Sequence, residues 1–386
     1  MVIFPNHSIL VEGEVLQMEI AEIDLVLYLQ KQLGDISIAA FEDAGPNASY
    51  AGRIDRGSLK LIKLNIFLHD SSMLRKLMNY SWATLVTPIA LSQKEIAYIF
   101  CPGHCALIAA LWAIILRRPY GLYVRGIWLS ANGNTSWLWK QVFRKSSFII
   151  ATGEAFRRKL SEFSKRVETV VPFSNLANMS ISEELVKKLP LIRKFLFVGR
   201  LSESKGGIDT IKAVAIARRE FHLPVELIVA GGGTAEEEAR AKKVADEWNV
   251  REYVSFLGHV GDIKDIKNCY QMADAFVFPT YFKEGFPRVL YEAMLFALPI
   301  VTTEMPGTEG FLVDTKNCLV CKPRDPQNIA QCIARFSRDP EFAIQLGTRA
   351  HKNVQDMFRA FRHPSHADQL ISLTKQTLLL GGKKEK

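Results

Sequence analysis

The sequence predicts an α/β protein built from two doubly wound units with parallel sheets. Short β-rich runs alternate with longer amphipathic segments along nearly the whole chain, the rhythm of strand, crossover helix and parallel strand. The rhythm runs twice, with an irregular break between residues 172 and 193, and the 386 residues suit two cores at ~100–200 residues per domain. Taken in order, the first-half strands fall at 1–5, 36–41, 59–66, 96–100, 121–124, 147–151 and 167–171. Those of the second half fall at 195–198, 225–230, 254–257, 275–279, 300–303 and 318–321. Past Pro340 the pattern is purely helical and ends in a Gly-Gly-Lys-Lys-Glu-Lys tail. The expected domains are 1–178, 179–358, and a final helix and tail at 359–386 that packs back on the first.

Composition narrows the partners. With 48% hydrophobic and 23% charged residues the chain can bury full cores, which excludes disordered and collagen-like classes. Its longest strongly apolar run, 106–116, is far shorter than the ~20 residues of a membrane-spanning helix. The start lacks the basic stretch and apolar core of a secretion signal, so a cytoplasmic location is expected. Six scattered cysteines do not form a disulfide framework and read as reduced thiols. Lys plus Arg exceed Asp plus Glu by 49 to 40, a mild bias toward phosphates, nucleic acid or lipid head groups.

Two segments carry chemistry. Phe195 to Gly206 reads as a buried strand ending at Gly199, followed by Arg200 and Lys205. The planar fork of Arg and the point charge of Lys suit the two phosphates of a diphosphate, although each cation alone also fits an ordinary solvated surface. The second segment, Lys283 to Met294, follows the strand at 275–279. Pro287 fits the first turn of a helix, and the N–H groups of Gly285 and Phe286 together with the helix dipole make an anion site there. Glu284 and Glu292 are eight positions apart, up to ~12 Å along a helix axis. That span fits ribose hydroxyls at one end of a nucleotide sugar and sugar hydroxyls at the other and is too long for a shared-proton pair, although two carboxylates so placed also fit an ordinary solvated helix face.

Together, Gly199–Gly206, the Ala-Asp-Ala-Phe-Val-Phe-Pro strand ending at Pro279 and Glu284-x(7)-Glu292 resemble glycosyltransferase family 4, the "glycosyl transferases group 1", over roughly residues 195–335. The resemblance implies the GT-B fold, two Rossmann-like domains facing across a cleft, and retaining transfer of a sugar from a nucleotide-diphosphate donor without a cofactor or metal. It implies that Arg200 and Lys205 hold the diphosphate, that Glu292 holds the ribose, and that Glu284 contacts the transferred sugar beside Gly285, Phe286 and Pro287. By the same resemblance Gly258 flanks the nucleobase, Glu309 is a further acidic contact, and the main chain at Gly307 and Thr308 adds N–H donors. The chain departs from the pattern at Ala297 and Cys318, where glycine is usual. It also lacks a clear Gly-Gly loop after the first strand, with Gly13 as stand-in, and has Val124-Arg125-Gly126 where a His-Gly pair is common. On the acceptor side, His104 and Arg125 are the candidates, Arg125 either for an acceptor phosphate or for a structural ion pair.

The expected function is retaining transfer to a glycan or lipid-linked glycan acceptor, in bacterial cell-surface polysaccharide biosynthesis. The alternatives are a GT-B sugar-nucleotide epimerase or hydrolase, and a non-catalytic carbohydrate-binding homologue. Zinc readings of Cys101–Cys105 and Cys318–Cys321 are set aside because the first group opens an apolar helix and the second lies in a strand. The basic stretch from Lys140 to Arg166, interleaved with Trp137, Trp139, Phe143, Phe156, Leu160 and Phe163, fits either a face lying on anionic lipid or helices packing on their own sheet. No recognised module supports nucleic-acid binding.

Overall fold

The computed structural model describes residues 1–5, 9–12, 15–18, 20–43, 52–55, 57, 59–68, 72–125, 136–170, 191–282, 285–360 and 366–381. The chain divides into two compact units, Met1–Val171 with His363–Lys386, and Pro172–Arg362. Most of the expected break at 172–193, together with Gly13, Gly126 and Glu284, lies outside the described residues.

The N-terminal unit runs β1 (Val2–Phe4), β2 (Ile9–Glu12), β3 (Val15–Met18), α1 (Ile20–Leu33), β4 (Ser37–Ala40), β5 (Glu42–Asp43), β6 (Gly52–Asp55), β7 (Lys60–Lys63) and α2 (Met73–Ser92). It continues through β8 (Ala97–Cys101), α3 (His104–Ile115), β9 (Tyr120–Val124), α4 (Trp137–Lys145), β10 (Phe148–Thr152), α5 (Glu154–Ser161) and β11 (Val167–Val170). Its main sheet has the order β11-β10-β9-β8-β1-β4-β7, all parallel. Strands β8, β9 and β10 are buried throughout, as expected of central parallel strands covered on both faces.

Alternation along β8 divides the unit's core. Ala97, Ile99 and Cys101 join residues of α2, α3, α4 and α5, whereas Tyr98 and Phe100 join α1 and the last helix of the chain. A second sheet, β5-β2-β3-β6, is partly antiparallel and departs from the simple alternation read from the sequence. The expected strand at 59–66 stops at Lys63 because Asn65 turns the chain, its Oδ1 accepting from the Glu42 N–H at 2.8 Å.

The C-terminal unit comprises β12 (Lys194–Val198), α6 (Gly207–Arg219), β13 (Glu226–Ala230), α7 (Ala235–Glu247), β14 (Val254–Gly258), α8 (Ile263–Met272) and β15 (Ala275–Phe278). There follow α9 (Arg288–Leu295), β16 (Ile300–Thr302), β17 (Leu319–Val320), α10 (Pro326–Arg338) and α11 (Pro340–Ala360). The sheet order is β14-β13-β12-β15-β16-β17, again parallel. Its helices start on strong local signals: Thr234 and Glu237 form a reciprocal capping box on α7, and Asp325 caps α10 ahead of Pro326. The last helix, α12 (His366–Gly381), belongs to the N-terminal unit and packs beside α1, where Tyr28 donates to Asp368 at 2.7 Å.

The stretch from Lys140 to Arg166 is not one amphipathic surface. It is divided among α4, β10 and α5, and Phe143, Phe156 and Leu160 are core residues, while Trp139 and Phe163 pack against that core. Most of the apolar side chains that suggested lipid contact are thus taken up by the unit's own core, whereas Trp137 at the start of α4 stays exposed.

Candidate active site

In the C-terminal sheet the strand order reverses between β12 and β15, and the chain leaves these two neighbours in opposite directions. Such a switch point opens a crevice at the carboxyl ends of the strands, where doubly wound proteins hold ligands. Residues predicted from the sequence gather at this edge. Gly199 closes β12 and donates its N–H to Ala230 at 3.0 Å; Gly231 donates to the carbonyl of Gly258 at 2.8 Å, so the ladder continues across the ends of three strands.

After β12, Glu203–Lys205 form one 3-10 turn and Gly206 is left-handed, with φ +78°. A Cβ at Gly206 would collide with the Pro279 carbonyl, so only glycine lets this turn approach the end of β15. The approach is held through the Ser204 carbonyl, which accepts from the N–H groups of Tyr281 (2.9 Å) and Phe282 (3.1 Å) and from the Thr280 hydroxyl (3.1 Å). Lys205 is thereby brought to the mouth of the switch point, its Nζ 5.0 Å from the Phe282 ring centre and 5.9 Å from that of Phe278. Arg200, directly after Gly199 and ahead of this turn, is exposed.

The loop after β15 meets the loop after β16 by main-chain contact. A Cβ at Gly307 would overlap the Gly285 carbonyl, which makes that glycine obligatory for the two loops to touch. Thr303 ties them further by donating to the Thr280 carbonyl. Pro287 is the residue before α9 rather than in its first turn; it is extended (φ −63°, ψ 123°), and its carbonyl accepts from Leu290. The helix begins one residue later than the sequence suggested because Pro287 already ends the preceding extended chain. The N–H groups of Gly285 and Phe286 immediately precede that start. Thr308 does not offer the N–H expected of it, since its N–H and hydroxyl both turn back to the Met305 carbonyl at 3.2 Å. Glu309 is exposed.

Glu292 is 6% exposed, and its carboxylate is fixed on both oxygens. The Tyr270 hydroxyl donates to Oε2 at 2.9 Å, and the Arg288 guanidinium lies 3.5 Å from Oε1, one helical turn earlier. Burial pushes the Tyr270 phenol well up, with the Glu292 charge adding to it, so the phenol stays a donor. Tyr270 was invisible to sequence reasoning, because its pairing with Glu292 depends on α8 packing against α9. Arg324 was missed as well: its guanidinium sits 4.3 Å from the Tyr281 ring centre, adding a cation beside the loop that follows β15.

The N-terminal unit has its own switch point, between β1 and β8. His104 opens α3 directly after β8, is exposed, and its ring is 5.4 Å from that of Tyr80 on α2. Arg125 follows β9 and donates its N–H to the Cys101 carbonyl at 2.9 Å. Its guanidinium stacks over Phe100 and Tyr123, both at 5.7 Å, in a cation–π arrangement. Tyr80 belongs to the α2 side of the sheet and Phe100 to the α12 side, so the two candidates serve opposite faces. On that second face His366 accepts or donates to the Tyr98 hydroxyl at 2.6 Å, and burial first, then Arg125, lowers its pKa to about 3. The cysteines of both motifs set aside above are held protonated by burial, Cys105 at about 11 and Cys318 at about 12.

The same organisation recurs in known proteins. Residues 184–353 match the family model of glycosyl transferases group 1. The capsular polysaccharide biosynthesis glycosyltransferase CapM of Staphylococcus aureus is 26% identical over 299 residues, 71% of this chain and 76% of CapM. The chain spans a smaller part of other relatives, 45% of the putative glycosyltransferase YtcC of Bacillus subtilis at 27% identity and 59% of its putative teichuronic acid biosynthesis glycosyltransferase TuaC at 24%. Among solved structures, Anabaena Alr3699/HepE in complex with UDP superposes with a TM-score of 0.66 over 97% of this chain and 99% of that one, at 17% identity. Sucrose-phosphate synthase from Thermosynechococcus elongatus gives 0.69 over 98% and 99%, also at 17%. Two parallel Rossmann-like sheets, these superpositions and the family match over the C-terminal unit identify the chain as having the GT-B fold, with the pattern of glycosyl transferases group 1 in residues 184–353.

Proposed function

We propose that the protein is a retaining glycosyltransferase that moves a sugar from a nucleotide-diphosphate donor to a glycan or lipid-linked glycan, in the assembly of a bacterial cell-surface polysaccharide. The observation that carries this reading is that, at one switch point, the turn bearing Lys205 after β12 is bonded through the Ser204 carbonyl to the loop after β15, in the segment that leads on to Gly285, Phe286 and α9. The relatives named for capsular polysaccharide and teichuronic acid biosynthesis support the pathway class, and HepE, solved with UDP and with UDP-glucose, supports the donor class.

In this reading Arg200 and Lys205 hold the diphosphate while negative charge grows on it, and the N–H groups of Gly285 and Phe286 add fixed donors. Such preorganised charge is worth more at the transition state than in the ground state and needs no protein nucleophile. Glu292, held by Tyr270 and Arg288, presents a rigid carboxylate to ribose hydroxyls, and Glu284 meets the transferred sugar. The acceptor hydroxyl attacks from the face the diphosphate leaves and gives its proton to a phosphate oxygen. Gly258 borders the base, which main-chain groups contact.

The test is a panel of nucleotide-diphosphate sugars scored first by protection against thermal unfolding and then by product formation with acceptor. One donor should stabilise the protein in a concentration-dependent way and support transfer. Absence of stabilisation by any of them would overturn the proposal.

A further inference from the structure

Helix α2 is apolar on both walls. Asn79, Ala83, Thr87, Ala90 and Leu91 are buried against the sheet. At ~100° per residue, Leu74, Leu77, Met78, Leu85 and Ile89 fall on the opposite wall, and Leu77, Leu85 and Ile89 are 63%, 66% and 57% exposed. A surface helix ordinarily turns charged residues outward, yet this one carries only Arg75 and Lys76 and no acid. The apolar surface extends past the helix. Asn79 accepts from the N–H groups of Ile66 (3.0 Å) and Phe67 (2.9 Å), which fixes the exposed Ile66 and Leu68 beside the start of α2, and Ile115 at the end of α3 is 66% exposed. Contiguous apolar surface of this kind marks an interaction site.

Charge selects the occupant. The end of the same helical layer is basic: Arg117 follows α3, and Arg144 and Lys145 close α4. Arg118 donates to the Ser92 carbonyl at the end of α2 and, with Arg117 and Lys145, lines a cavity of about 640 Å3 in which Glu95 is the lone acid. A second copy of this chain placed on the patch would bring like charges together, whereas an anionic bilayer offers phosphates to the cations and hydrocarbon to the leucines. Trp82, half-exposed on the same helix, suits the boundary between the two. Among the described residues no helix is long and apolar enough to cross a membrane, so the fitting geometry is a helix lying in the interface.

We infer that the outer wall of α2, with the basic ends of α3 and α4, docks the N-terminal unit on an anionic lipid surface. This surface shares only the basic end of α4, Arg144 and Lys145, with the stretch from Lys140 to Arg166, whose Phe143, Phe156 and Leu160 the core absorbs. It rests on the N-terminal unit alone, so it stands or falls independently of the donor site.

The test is flotation of the full chain with vesicles of phosphatidylcholine, and with vesicles of phosphatidylcholine mixed with phosphatidylglycerol. The protein should float with the anionic vesicles only, and release on adding salt. Leu85→Glu and Leu77→Glu, both exposed and so folded by circular dichroism and thermal melting, should each lower vesicle affinity by about tenfold or more. Donor protection in the melting assay should be unchanged in both. Failure to float, equal binding to neutral vesicles, or binding that survives both substitutions would overturn the inference. So would a dimer in sedimentation analysis that Leu85→Glu dissociates, since the patch would then be a protein interface.

Discussion

The two switch points of this molecule are built from different material. In the C-terminal unit, the loops after β12, β15 and β16 are held by main-chain contacts: Ser204 to Tyr281 and Phe282, Gly206 against Pro279, Gly307 against Gly285. In the N-terminal unit, the equivalent edge is furnished with side chains: His104 on Tyr80, Arg125 over Phe100 and Tyr123, His366 against Tyr98. A backbone-built site admits few residue types and leaves a spaced motif in the sequence. A site built from side chains can be rewritten residue by residue while the sheet beneath it stays the same.

The sharpest test of this contrast is charge removal at the donor edge. Lys205→Ala and Arg200→Ala should each lower kcat by ~10²–10³, by analogy with the loss of one oxyanion donor, while the melting temperature stays near that of the parent chain. Arg125→Ala should do less to donor turnover than either. Comparable losses from all three would erase the distinction between the units.

Next in size, Gly307→Ala should destabilise by about 1–3 kcal/mol, the usual cost of forcing atoms into a filled space, and weaken nucleotide protection in the same melting experiment. Normal stability would show that the loops can separate without consequence. Tyr270→Phe should remove one hydrogen bond from Glu292 and reduce nucleoside diphosphate affinity by a few-fold to about tenfold, corresponding to one hydrogen bond of ~0.5–1.5 kcal/mol. Calorimetric titration with the free nucleotide measures it, and Glu292→Ala should weaken binding further.

On the side-chain-built unit, pH is the probe. The folded pKa of His366 is lowered to about 3 from the ordinary 6.5. The unfolded chain therefore binds a proton there that the folded chain does not, and this contribution to stability, complete above about pH 6.5, is lost as pH falls toward about 3. Urea denaturation from pH 7 to pH 5 should show that decline, and His366→Phe should flatten it. The smallest expected effect is at Ala297, the residue that stands where glycine is usual. Its φ of +53° is left-handed, so Ala297→Gly should raise stability by about 1 kcal/mol. A loss on thermal melting would show that the methyl group contributes packing that outweighs its backbone strain.

Much of the fold was legible in the residues. Alternating apolar runs marked the main parallel strands of both sheets, since strands covered on both faces must be continuously apolar. Gly199, Lys205, Gly206, Gly285 and Glu292 were legible as a pattern because each occupies a place that backbone geometry or charge restricts. The small sheet of β5, β2, β3 and β6 was not, because its strands are short and two of its three pairings are non-local. The direction of the aromatic residues in α4 and α5 was also hidden. Periodicity shows that a helix has an apolar wall, but not whether sheet or lipid covers it.

What the sequence determined by itself was therefore local and periodic: the order of the main strands and helices, and the spacing of cations, glycines and acids in the segments Gly199–Gly206 and Glu284–Glu292. Tertiary structure alone decided which of those residues meet. Tyr270 reaches Glu292, Thr308 turns back on Met305, and α2 keeps a second apolar wall uncovered, because packing between elements is set by side chains distant in the chain that no local pattern encodes.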